Sequence, residues 1–173
     1  MDATKLLKHM SWANQQILGS VSKLPDTALD AYSVNPEWQV REILRHITSS
    51  ASWYGFRLLK ASGATEAELS AIHEKLETLN NAPKNAEDIP FFLDALLAAD
   101  RILLEQSHLP EGEVRREFEG KTIVRSRSTV LSQAIHHATE HRAQLVDALE
   151  IRGYTSINLD DYDLWAFCSE FGE

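Results

Sequence analysis

The chain has 173 residues, 43% of them hydrophobic and 25% charged, which sets the expectation of one folded domain over residues 1–173. A formal charge of −9 and a pI near 5.2 argue against a nucleic-acid binder, whose surface must neutralise phosphates. Seven glycines and five prolines are too few for a sandwich or barrel of many short strands, so long helices are expected.

A first helix is predicted from about Asp2 to Leu24. Leu6, Met10, Ala13, Ile17, Val21 and Leu24 recur at three- and four-residue steps and mark one buried face. Pro25 ends it, because proline disfavours helical geometry in the residue before it. A second helix is predicted to open at Asn35-Pro36, an N-cap side chain followed by a proline whose missing N–H costs nothing there. Its stripe is Val40, Ile43, Leu44, Ile47, Ala51, Tyr54 and Leu58, and Gly63 is its natural stop. His46 falls at the edge of that stripe.

A shorter helix, from Glu66 to Leu79, and the turn cluster Asn80-Asn81-Ala82-Pro83 form a segment long enough to cross over between two bundle helices. The next long helix is predicted over Asp88 to Ser107, with Phe92, Leu96, Ala99 and Leu103 on one face and Asp100 on or near it, an acid in need of a partner. From Glu111 to Arg127 the helical pattern breaks. Val114, Arg116 and Phe118 alternate, Glu119-Gly120-Lys121 is a turn signal, and a small hairpin is expected. Arg115, Arg116, Lys121, Arg125 and Arg127 make this stretch a basic exception in an acidic chain. Glu113, Glu117 and Glu119 lie among them, so a solvated hairpin is favoured over a patch that grips an anionic ligand. The last long helix is predicted from Ser128 to Arg152. Leu131, Ala134, Ile135, Ala138, Leu145, Ala148 and Leu149 form its stripe, and His141 takes the place between Ala138 and Leu145. A final short helix around Asp161 to Glu170 offers Leu164, Trp165 and Phe167 for docking.

The single cysteine, Cys168, excludes an intramolecular disulfide and reads as a packed thiol. No segment has the length of a membrane span, and the N-terminus lacks the continuous apolar region of a signal peptide. A cytoplasmic protein without a membrane partner is expected.

His137 and His141 stand four apart on the last long helix, on one face, where two imidazoles can converge on one ion. His46, on another long helix, supplies a third. Neutral imidazole suits zinc, nickel, iron or copper. Spacing alone leaves two readings open, a metal-ligand set or core histidines satisfied by hydrogen bonds. Arg142 is expected to reach solvent or Asp147, and Gln144 to support the site by a hydrogen bond. His136 is expected at the surface, His9, His73 and His108 without a matching ligand partner, and Trp12 and Asn14 in packing and helix contacts.

The segment Val40-Arg-Glu-Ile-Leu-Arg-His46-Ile, the run His137-x-x-x-His141-Arg142-x-Gln144, Trp12-Ala13-Asn14 and the closing Tyr162-Asp-Leu-Trp165 together resemble the DinB-like family, in the expected order and over nearly the whole chain. Ala143 departs from the pattern, which often has glycine there, and is expected to narrow the space beside the site slightly. The resemblance implies an all-α four-helix bundle with a crossover between its second and third helices. It also implies one divalent metal at one end of the bundle, on His46, His137 and His141, and a homodimer. Several such relatives are metal-dependent transferases that use a low-molecular-weight thiol.

Three neutral ligands would leave a coordination position open and the ion's charge uncompensated. A thiol there would be deprotonated near neutral pH and attack an electrophile, whereas a water would serve hydrolysis. The sequence offers no obvious carboxylate base beside the triad of the kind a HExxH helix supplies, which modestly favours thiol transfer. The expected function is therefore a zinc- or nickel-dependent thiol S-transferase of detoxification or stress metabolism, acting on a small molecule. A metal-dependent hydrolase and a catalytically silent, metal-stabilised dimer are the alternatives.

Overall fold

The computed structural model describes residues 3–172. Its long helices are α1 (Ala3–Val21), α2 (Val40–Ala61), α4 (Ile89–Ser107) and α5 (Arg127–Ile151), with the shorter α3 (Glu66–Thr78) and α6 (Leu164–Phe171) on the connections. Strands β1 (Glu113–Phe118) and β2 (Lys121–Ser126) form the one sheet among the described residues. The molecule is an all-α bundle with a small hairpin, as the periodicity predicts.

Four stripes explain the packing. Helices α1 and α2 each lie against both α4 and α5, whereas α1 hardly touches α2, so the bundle alternates around its axis. The main core joins Ile17, Ile43, Leu44, Leu96, Leu145 and Leu149, all fully buried. A second cluster around Leu7, Met10, Leu58, Leu103 and Leu131 continues it beneath the hairpin. Gly55 lets α2 and α4 approach closely, since a Cβ there would sit 3.3 Å from Ile102. Residues 62–88 make the long connection from α2 to α4 through α3, which packs on α2.

Two helix ends differ from expectation. Helix α1 stops at Val21 rather than Leu24, because the last residues tighten into a turn in which Leu24 N–H donates to the Val21 carbonyl. The predicted residue 2 lies outside the described residues. Helix α2 opens at Val40, not at Asn35-Pro36. Asn35 caps only a short turn, its side chain accepting from Glu37 N–H at 3.0 Å, and Gln39 is then extended (ψ 162°) before the helix begins. The displaced boundary leaves Trp38 in a loop, free to fold over the start of α2.

Helix α3 has a reciprocal cap. The Thr65 hydroxyl accepts from Glu68 N–H, and the Glu68 carboxylate accepts from Thr65 N–H at 2.8 Å. Thr65→Ala is expected to cost about 1 kcal/mol, read as a shift of the urea midpoint with an unchanged slope. A loss indistinguishable from zero would mean that α3 adds nothing to global stability.

The hairpin closes at Glu119 (φ 49°) and Gly120 (φ 72°), two consecutive left-handed residues that give the turn the twist of its strands. Its register pairs Val114 with Arg125 and Arg116 with Ile123. Cys168 is a free, half-buried thiol packed against the Trp12, Ala13 and Phe167 cluster. Among the described residues no helix is long and apolar enough to cross a membrane.

Candidate metal centre

Helical spacing sets His137 and His141 one turn apart on the inner side of α5, with ring centroids 4.2 Å apart. From α2, His46 faces both, at 4.9 Å from His137 and 4.6 Å from His141. One ring nitrogen of each lies within 4.8 Å of the other two, and this is the one such group of potential ligands among the described residues. The Nε2 atoms of His46 and His137 are 3.0 Å apart. Two nitrogens at 2.0–2.1 Å from a shared ion have that separation when they subtend about 90–97°. The three residues named from spacing therefore meet, and they fit one divalent ion.

The tautomer of His141 follows from its neighbours. Trp38 Nε1, which can only donate, lies 2.9 Å from Gln144 Oε1. The same oxygen lies 2.8 Å from His141 Nδ1. An oxygen can only accept, so His141 carries a proton on Nδ1, which leaves Nε2 as the nitrogen that could ligate an ion. This is the support that ligand histidines usually receive, with the second ring nitrogen tied to an acceptor. Gln144 thus has the role that the sequence predicts.

Electrostatics keep the other rings neutral. Burial, reinforced by the His141 and His46 charges, pushes His137 down to about 4. Burial, then His141 and Arg45, also lower His46, while Glu140 opposes them. Near pH 7 both offer lone pairs, which metal binding requires.

Aromatic walls enclose the group. Trp38 stands edge-on to His46 at 5.2 Å and to His141 at 5.7 Å, and Tyr54 stands edge-on to His137 at 5.7 Å. Neither was singled out from the sequence. Tyr54 reads there as one more member of an apolar stripe, and Trp38 lies in a loop that periodicity cannot place.

Arg142 corrects the expectation of solvent or Asp147. It is buried, and donates to Asn14 Oδ1 at 2.7 Å and to Thr139 Oγ1 at 3.2 Å. Asn14, wholly buried, passes the link on by donating to Asp100 Oδ2 at 2.9 Å. An Arg142–Asn14–Asp100 chain thus crosses from α5 through α1 to α4, and Asp100 has its partner. Burial pushes Asp100 up to about 7, against the Asn14 hydrogen bond and the Arg142 charge.

The remaining residues fall in place around the centre. Ala143 is exposed, so the alanine takes no space beside the histidines and the expected narrowing is absent. His136 is exposed, as expected. His9 lies outside the group, with Nε2 2.9 Å from the Tyr162 carbonyl, and Trp12 packs against Tyr162 and Phe167. Of the five basic residues between positions 115 and 127, Arg127 is buried, held by the Pro110 carbonyl at 3.0 Å, Ser62 Oγ at 3.1 Å and Gln106.

The model of the DinB family matches residues 1–167. The chain is 29% identical to Protein DinB of Bacillus subtilis (strain 168) over 178 residues, covering 97% of this chain and 95% of that protein. No solved structure matches it significantly.

Proposed function

The chain belongs to the DinB family, and on that premise we propose that it is a metal-dependent thiol S-transferase, a homodimer that acts on a small molecule. His46, His137 and His141 would hold one divalent ion, zinc or nickel. The observation that carries this reading is the convergence of three imidazoles, one of them with its Nδ1 proton held by Gln144. Bound there, such an ion supplies a positive charge that keeps a thiol co-substrate ionised near neutral pH.

The protein's own residues do the rest. Gln144 holds the His141 proton at Nδ1, and Trp38 fixes Gln144 in turn. The Trp38 and Tyr54 rings stand edge-on to His46 and His137. No side chain is needed as a nucleophile: Cys168 is packed among aromatic residues of α1 and α6.

One observation favours hydrolysis as a second reading. Glu140 immediately precedes His141 on α5 as an exposed carboxylate, and it would serve as a base for water.

The test is a panel of cellular thiols with a generic aryl halide, using untagged protein and its chelator-stripped form. Metal-dependent loss of free thiol is expected, with Cys168→Ser as active as the parent. No thiol consumption above the stripped protein, together with metal-dependent ester cleavage lost in Glu140→Gln, would install the hydrolase instead. Inertness on both panels would favour the silent dimer.

A further inference from the structure

The hairpin, α2 and α5 border a cavity of about 280 Å³, lined by three arginines, Arg57, Arg116 and Arg125. That volume sits at the lower end of small-molecule sites. The pleat explains how the charges gather there. Residues directly opposite in an antiparallel pair share a face, so Val114, Arg125, Arg116 and Ile123 point one way, into the cavity. Glu113 and Glu117 belong to the other face, where Arg115 pairs with Glu113 and Thr122 with Glu117 at 2.7 Å. Glu113 and Glu117, two of the acids that suggested a self-neutralised, solvated hairpin, are therefore segregated from the cavity.

No acid lines the cavity among the described residues, and none of the three arginines forms an ion pair there. Burial, and then the Arg116 charge, hold Arg57 below its ordinary value. Like charges facing one another without a counter-charge are costly, all the more conspicuous in a chain of net charge −9. Such an arrangement is compensated by an oxyanion, which guanidinium groups bind in a bidentate manner.

The cavity also has a direction. Its α5 wall includes Thr129, Val130 and Gln133, and His137 follows Gln133 by one turn, about 6 Å along the axis. Tyr54 lines the cavity and contacts the His137 ring at 5.7 Å.

We propose that this cavity seats the carboxylate or phosphate group of the small-molecule substrate on Arg57, Arg116 and Arg125, with the substrate's reactive end directed past Tyr54 toward the histidines. The direction rests on the reading of those histidines as the reactive centre. The anion seat rests on the cavity alone.

Titration calorimetry at low ionic strength, with succinate and inorganic phosphate as probes, tests it. At least one probe binds the parent protein, and Arg116→Ala weakens binding about tenfold or more, the scale of a lost charge-assisted contact. Arg115→Ala, on the opposite face of the same strand, leaves it unchanged. Succinate alone binding identifies a carboxylate substrate, and phosphate alone a phosphate ester. His141→Ala binds the probe like the parent, so failure of the metal chemistry and failure of the seat are separately visible. The seat is overturned if neither probe binds at tens of millimolar, or if Arg115→Ala weakens binding as much as Arg116→Ala.

Discussion

Replacing His141 with alanine is expected to abolish stoichiometric metal binding while far-ultraviolet circular dichroism stays helical. The ring nitrogens of His46 and His137 would remain 3.0 Å apart, but as two ligands on separate helices with nothing to close the set. Loss of an outer-shell partner alone lowers metal affinity about 10–100-fold, and loss of a ligand should exceed that. Alanine is the better helix former, so α5 should persist. Gln144→Leu offers the graded case. It removes the acceptor of His141 Nδ1 and orphans the Trp38 N–H, so affinity should fall about 10–100-fold with the ligands intact. Gln144→Glu keeps an acceptor for both donors and should retain the metal. The exposed His136, mutated to alanine, should change nothing. Metal analysis of untagged protein, followed by competition with a chelator, reads all four variants. One tightly held ion per chain in His141→Ala would falsify the triad.

The centre was legible because its information is local. A four-residue interval on a strongly periodic helix puts His137 and His141 together whatever the rest of the chain does, and His46 lay at the edge of another stripe. Gln144 was readable for the same reason, three residues from the ring it supports. Arg142 was not legible in this way. It stands four residues after Ala138 and three before Leu145, on the stripe itself, yet the general exposure of arginine argued for solvent. Its compensation comes from Asn14, 128 residues away, and no local pattern carries that. Trp38 was hidden differently, since a turn capped by Asn35 resembles the start of a helix until Gln39 proves extended. In the hairpin the alternation was visible, but its consequence for charge was not. Glu113, Glu117 and Glu119 are interspersed with five basic residues along the chain, whereas the strand register puts Glu113 and Glu117 on the face opposite Arg116 and Arg125.

Asn14→Leu is expected to be the most destabilising single substitution on α1, at about 3–5 kcal/mol, because it strands a buried guanidinium and a buried carboxyl rather than one contact. Asn14 accepts from Arg142 and donates to Asp100, and all three are buried. A leucine of similar size would leave a guanidinium and a carboxyl without their bridge. The acid also gives the protein a distinctive pH response. Asp100 is pushed from an ordinary 3.8 up to about 7 by burial. Between those values the folded protein holds a proton that the unfolded chain has released. Stability from this group is thus complete below about pH 4 and is lost as pH rises through 7, with a slope of at most about 1.4 kcal/mol per pH unit. Most paired carboxylates act in the opposite sense, so the decisive quantity is the difference between the parent and Asp100→Asn. The asparagine can still accept from Asn14 but cannot titrate. Urea denaturation from pH 4 to 8 should show parent stability falling relative to Asp100→Asn as pH rises. Parallel profiles would mean that Asp100 is ionised throughout, paired to Arg142 more strongly than its burial opposes. Asn14→Leu would still be costly in that case, and its penalty would then be independent of pH across the same range.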